Sequence, residues 1–577
     1  MSTTAVSPST ELRRIADAFW EDYLRDGPTW ATMLGDRRYD DRLEDRSPAA
    51  IADQLARNGE HARAARALDA AALTASERIT RQMLIDEVEG QVATARTLAH
   101  EWTVDPLNGP QVTILDLVDY QTIETPEDGR RLAARWRAIG PLVDQMVDDL
   151  RRARAAGRVA ARAPVQRTVD ELRMLAAMPP ADWKLAAPAA HPPARWSAAD
   201  RAGFSADLLA AVAEVAVPAF GRYLAVLERE ILPVARSDDQ PGVMHIPGGT
   251  DVYRAMVRFH TTLDLDPIEI HETGLREIAR IDAEFVALGG RLLGTTDLAS
   301  TLAALRSDPA LRFSTADEVF QTAVTSLARA QAATPAWFGR LPVAGCEVVR
   351  IPEHSEANQT IAYYQWPAMD GSRPGRYYIN LYTPETRPRY EAEALAFHES
   401  VPGHHLQIAI AEELDGLPAF QRMLGSTAFA EGWGLYTERL SDEMGLYSSD
   451  LDRFGILSFD AWRAGRLVVD TGIHAMGWTR QQAIDFLHDH SALGDDNILN
   501  EVDRYIVWPG QALGYKIGQL EILRLRAEAE ERLGDRFDIR AFHDAVLGSG
   551  AVGLPTLDLI VESWIESVLG AGEGQPA

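Results

Sequence analysis

One cysteine, Cys346, occurs in 577 residues, so the chain can build neither an internal disulfide nor a metal site on cysteine ligands. Any metal has to be held by histidine and carboxylate. Long apolar runs are missing too. No stretch approaches the ~18 residues of a membrane span, and the opening MSTTAVSPSTELRR lacks the basic-then-apolar order of a signal peptide. A cytoplasmic protein with no membrane partner is the expectation. Positive charge is scarce: 57 Lys and Arg stand against 85 Asp and Glu, a net charge of −28. That leaves no basic face for duplex DNA or an anionic surface, so no nucleic-acid partner is expected, and neutral or cationic substrates are mildly favoured. Strand-like sequence is limited to CEVVRIP, TIAYYQWP and GRYYINLY, all between residues 346 and 382. A single small sheet is predicted there.

Apolar residues make up 46% and charged residues 25%, the composition of a folded chain. Stretches such as SERITRQMLIDEVEGQVATARTLAHEW and DGRRLAARWRAIGPLVDQMVDDLRRARAAG repeat apolar residues at three-and-four spacing and predict amphipathic helices. The fold class is therefore mainly α, with the small sheet beside the site. ARSDDQPGVMHIPGG interrupts the helical pattern. It divides a helical N-terminal part, 1–240, from a part over 241–577 carrying the sheet and the site helices. The two are expected to form one continuous structural unit.

The segment HESVPGHHLQ, residues 398–407, carries the chemistry. In the compact zinc motif two histidines four residues apart share one helical face with a glutamate beside them as general base. Here the fourth position is Pro402. Counting about 100° per residue from His398, His405 falls about 20° from the starting direction and His404 about 120° away, so a regular helix favours His405. Pro402 and Gly403 are expected to bulge or break the helix, and then the count no longer decides.

A zinc site needs a third ligand, and STAFAEGWGLYTERL offers Glu431, 27 residues after His404, with Glu438 two turns on as its rival. In RAGRLVVDTGIHAMGW, Arg466, Asp470 and His474 recur every fourth residue. Such a stripe can orient zinc histidines through Asp470 and His474, or it can be a helix-stabilising Arg466–Asp470 pair. RYIVWPGQALGYKIGQ gathers Arg504, Gln511 and Tyr515 around a Pro-Gly break, donors suited to a substrate carboxylate or an oxyanion, although a tyrosine there also suits a core. On the strand before the motif, Tyr377, Tyr378 and Asn380 are candidates to line a substrate channel, or simply to pack. A second His-Glu pair, at 271–274, has no histidine to follow it and carries no site.

HESVPGHHLQ, FAEGWGLYTE, RLVVDTGIHAMGWTRQQA and RYIVWPGQALGYKIG, with FWEDYLRDGPTWATMLGDRRYDD near the start, resemble the bacterial DUF885 family over nearly the whole chain. That family is similar to the gluzincin peptidases, among them angiotensin-converting enzyme and the thermostable carboxypeptidases, which are helical proteins with a deep channel. The resemblance implies that His404, directly after a glycine, is the second ligand. It further implies one Zn2+ per chain held by His398, His404 and Glu431, with Glu399 as general base and Tyr515 as oxyanion donor. Short peptides are the expected substrate, with Tyr378, Asn380, Arg504 and Gln511 in contact with it. Two rivals are an inactive pseudo-peptidase that binds peptides or a partner, and a zinc hydrolase of non-peptide amides.

Overall fold

The computed structural model describes residues 7–353, 356, 360–368, 371 and 373–571. Helices dominate, and their ends follow local chemistry. The long helix α1 (Pro126–Ala155) starts at a capping box formed by Thr125 and Asp128, with proline at its first position. It buries Leu132, Trp136, Ile139, Val143, Val147 and Leu150 at the predicted spacing.

Further along come α2 (Gly249–Thr261) and α3 (Pro267–Leu292), then the sheet of β1 (Cys346–Arg350), β2 (Ala362–Gln365) and β3 (Gly375–Ile379). All three strands fall in the stretches singled out from sequence. β3 lies in the middle, parallel to β1 and antiparallel to β2, with Val348 and Tyr364 both opposite Tyr377. The site helices follow: α4 (Ala392–Glu399), α5 (His404–Glu412), α6 (Thr427–Glu443), α7 (Arg453–Ala475), α8 (Asp495–Val507) and α9 (Leu513–Leu533).

A cluster from Val104 to Ile231 packs around α1, wholly within the N-terminal part. The largest cluster instead joins both parts: Ile15, Phe19, Leu84 and Val88 share it with Phe420, Trp433, Leu513 and Val561. Residue 240 therefore does not separate two hydrophobic cores. Among the described residues one continuous helix, Ala198–Val234, is long and apolar enough to cross a membrane by length and composition, contrary to the expectation that no such stretch exists. Its Phe204, Leu208, Val212, Phe220 and Leu227 pack into the α1 cluster.

Two features fix the geometry around the site. Helix α7 is buried along almost its whole length, from Phe454 to His474. Helices α6 and α9 cross with their backbones in contact: a methyl group on Gly518 would sit 1.8 Å from the Ala428 carbonyl oxygen, and one on Gly432 would sit 2.5 Å from the Gly518 Cα. Only glycine allows this approach.

Candidate metal centre

The HESVPGHHLQ segment is two helices. α4 ends at Glu399, the chain turns through Ser400 (φ −111°, ψ −110°) and Gly403 (φ −78°, ψ −128°), and α5 begins at His404. A Cβ on residue 403 would lie 1.9 Å from the His398 carbonyl oxygen, so glycine is what lets the second helix start so close to the first. The Trp433 indole N–H donates to the Pro402 carbonyl at 3.0 Å and ties the break to α6. Because the break resets the helical phase, an angle counted across it loses its meaning. The His398 and His404 rings meet at a centroid distance of 4.7 Å, nearly perpendicular.

His405 points elsewhere, and the regular-helix reading is corrected here. Its Nδ1 pairs with the Tyr364 hydroxyl at 2.8 Å and its Nε2 lies 3.2 Å from the Ala344 carbonyl. Burial pushes its pKa down to about 4, as befits a neutral imidazole that fastens α5 to the sheet.

Glu431 reaches the two histidines from α6, its Oε2 lying 3.7 Å from His398 Nε2 and 3.5 Å from His404 Nε2. These separations exceed an ordinary hydrogen bond. They are close to the edge of a coordination tetrahedron, about 3.3–3.4 Å when bonds to zinc are about 2.0–2.1 Å. The three ligand atoms all lie within 4.8 Å of one another. Glu438, the rival, does something different: its Oε1 lies 2.8 Å from His398 Nδ1, so that the other ring nitrogen, Nε2, faces Glu431. Gly434 makes room for the His398 ring, since a Cβ there would come within 2.7 Å of it. Burial alone would push the His398 pKa down, but Glu431 and Glu438 outweigh it and bring it up to about 9. Burial likewise opposes ionisation of Glu431, and the two imidazoles hold its carboxyl well below the usual range.

Two neutral imidazole nitrogens and one carboxylate, with a carboxylate behind the first imidazole, form a donor set that fits zinc better than magnesium or calcium. The second cluster of potential ligands among the described residues, His100, Glu101 and Asp149, does not fit: Arg46, Arg152 and Arg158 already occupy its carboxylates.

Glu399 is half-buried at the end of α4 and makes no hydrogen bond or ion pair among the described residues. Burial, and after it the charge of Glu399, push up the pKa of the buried Tyr377 hydroxyl. Tyr515 is buried on α9, and its hydroxyl accepts a 3.3 Å hydrogen bond from Arg504. Arg504 also donates to Gln511 at 2.7 Å and pairs with Glu501 at 3.3 Å. Gln511 lines the wall of a cavity of about 670 Å³, together with Met33, His100, Tyr223, Met256 and Trp508. None of His398, Glu399, His404 or Glu431 is in that wall.

Three other expectations need correction. Asp470 and His474 do form a buried stripe on α7, but it faces away from the zinc-type histidines. Asp470 accepts from the Tyr253 hydroxyl at 2.7 Å and the Gly510 N–H at 3.0 Å, while His474 bonds the Val243 N–H and the Tyr505 carbonyl. Burial raises the Asp470 pKa to about 7 and lowers that of His474 to about 3. Through Gly510 (φ +80°), Asp470 instead holds the turn that presents Gln511 and Tyr515. Asn380 is committed to backbone, donating to the Glu356 and Thr360 carbonyls and accepting from the Tyr382 N–H, so it braces a loop and has no amide to offer a substrate. Tyr378 stacks on Tyr363 at 4.8 Å, on the strand face opposite Tyr377, and does not adjoin the histidines. The His271 ring of the second His-Glu pair is bonded to Thr471 and Val468 of α7.

Sequence reasoning missed two things. The orienting role of Glu438 was within reach, because a seven-residue spacing puts it on the face of Glu431. Arg463, one turn before Arg466 on α7, belongs to the same buried surface and was passed over.

The crystal structure described as "the putative lipoprotein from Colwellia psychrerythraea" superimposes with a TM-score of 0.91 at 25% identity, covering 98% of this chain and 100% of that one. A second, from Shewanella oneidensis and described as "a putative lipoprotein of unknown function", gives 0.75 at 17% identity, covering 97% and 100%, and shares the fold. No curated protein matches the chain. The family model described as "Bacterial protein of unknown function (DUF885)" matches residues 28–561, and the chain belongs to that family.

Proposed function

We propose that this protein is a zinc-dependent hydrolase of the gluzincin type that cleaves peptide bonds in short peptides, with one zinc held by His398, His404 and Glu431. The observation that carries the reading is the convergence of Glu431 Oε2 on His398 Nε2 at 3.7 Å and His404 Nε2 at 3.5 Å, with one ligand atom from each of the three residues within 4.8 Å of the others and Glu438 on the far side of His398. Zinc bound there supplies a lowered pKa for water and polarisation of a carbonyl. Glu399 has no competing partner among the described residues and takes the water's proton, passing it to the leaving amine as the C–N bond breaks. Tyr515 accepts from Arg504, which leaves its own hydroxyl proton for the developing oxyanion. The α6–α9 crossing keeps that hydroxyl at a constant separation from Glu431.

Elemental analysis of the purified protein is expected to give one zinc per chain, and a mixed-peptide digest read by mass spectrometry to give cleavage of short peptides. Folded proteins should be left intact. Absence of a transition metal with no uptake on dialysis against zinc, or equal cleavage of folded substrates, overturns the reading.

Glu438→Gln keeps the shape but weakens the acceptor behind His398. Zinc affinity, measured by competition with a chromophoric chelator, should fall by about 10–100-fold, the usual effect of losing such a partner. Unchanged affinity would relegate Glu438 to packing.

A further inference from the structure

The cavity of about 670 Å³ is built without any residue of the metal centre, and its wall comes from both parts of the chain. Met33, Ile114, Leu142 and Met146 belong to one part, Met256 of α2 and Val507 of α8 to the other. Most of the lining is apolar, and three of these side chains are unbranched thioethers that adapt to varied shapes. The volume falls in the range of small-molecule sites.

The charged side chains in that wall are already engaged. Glu44 accepts from the Thr29 N–H at 3.1 Å and from the Thr29 hydroxyl, Arg46 pairs with Asp149 at 3.1 Å, and Asp105 accepts from the Trp508 indole N–H at 2.7 Å. They leave no open charge to recognise an ion. Three polar groups of the wall are not engaged. Tyr223 is only 1% exposed, and its hydroxyl makes no hydrogen bond among the described residues. The Trp102 indole N–H and His260 Nδ1 are buried with no partner. A buried polar group without a partner is the exception in a folded protein, and three in one wall mark a place that something else completes. Burial pushes the His260 pKa down to about 4 and raises that of the Tyr223 hydroxyl, while burial and then Arg46 lower that of His100. The open groups are therefore neutral at neutral pH.

We propose that this cavity is a binding site for a small uncharged molecule, an apolar body carrying one hydroxyl or carbonyl oxygen that bonds the Tyr223 hydroxyl. The apolar body lies against the methionines, and the oxygen removes the cost of a buried hydroxyl left unpaired. An ion would shed its hydration and find no free counter-charge. Because both parts of the chain form the wall, occupancy holds them together and raises the melting temperature as ligand concentration rises. The site does not rest on the hydrolase reading.

The test uses full-length wild-type protein, Tyr223→Phe and Met146→Trp, with the uncharged fluorophore N-phenyl-1-naphthylamine as probe. Displacement by 1-octanol, octanoate and octylammonium compares one chain with three headgroups, and thermal melting reports the fold. Octanol should displace the probe at least about 10-fold more effectively than either ion. Tyr223→Phe should melt like wild type and bind octanol about 3–10-fold more weakly, the worth of one neutral hydrogen bond. Met146→Trp fills the cavity and should abolish probe binding; if that variant melts far below wild type, Tyr223→Phe alone decides. Probe that does not bind wild type, an ion bound as tightly as octanol, or octanol affinity unchanged in Tyr223→Phe overturns the proposal. Probe binding unchanged in a well-folded Met146→Trp places the probe elsewhere and overturns it too. Displacement of the probe by a short peptide blocked at both ends, with a zinc chelator present, makes the cavity a substrate subsite and has the same effect. The assay reads no cleavage, so a protein that binds octanol as described and hydrolyses nothing keeps this site and loses the hydrolase, and the converse result does the reverse.

Discussion

Glu399→Gln is expected to lower turnover on short peptides by about 10²–10⁴-fold, the usual worth of a general base, while one zinc per chain is retained. The expectation comes from where the carboxylate sits. Glu399 closes α4 next to His398, is half-buried, and among the described residues is not tied up by any basic side chain. Glutamine fills the same volume and can still hydrogen-bond, but it cannot take a proton. Metal content by elemental analysis and kcat on a cleaved peptide separate the outcomes. Loss of zinc would make Glu399 a ligand and put Glu431 in doubt. Full activity would mean that water is activated elsewhere, and the mechanism would have to be given up.

The two adjacent histidines are expected to behave oppositely. His404→Ala removes one of three converging ligand atoms and should abolish zinc retention through gel filtration. His405→Ala should keep the zinc and cost stability instead, since it breaks the bonds to the Tyr364 hydroxyl and the Ala344 carbonyl that hold α5 against the sheet. Leaving those buried groups unpaired is worth about 1–3 kcal/mol each, readable in denaturant unfolding. Zinc lost with His405 and kept with His404 would reverse the assignment.

Helix content and the position of the sheet were legible because periodicity and β-branched clustering are local signals, and CEVVRIP, TIAYYQWP and GRYYINLY each contain a strand. The break at Pro402–Gly403 was legible as a break, but not its geometry. Which histidine follows Glu431 depends on a turn whose tightness is set by contacts of Gly403 and Trp433, far apart in the chain. The stripe of Arg466, Asp470 and His474 shows the limit of periodicity. Spacing tells which residues share a face, not what that face looks at, and here it looks at Tyr253 and the Gly510 turn. Asn380 failed for a related reason: an amide on a strand end bonds loop backbone as readily as a ligand.

The crossing of α6 and α9 bears on how such proteins diverge. Glu431 precedes Gly432 by one residue and Tyr515 precedes Gly518 by less than one turn, so two hydrogen atoms, in place of side chains, set the span between the Glu431 carboxylate and the Tyr515 hydroxyl. Drift in the cavity wall can retune what is accepted without disturbing that span, because side chains there abut open space. A methyl group at the crossing would wedge the helices apart with every polar residue still in its place. Whether a distant relative keeps the same working parts is therefore judged at two positions that have no chemistry of their own.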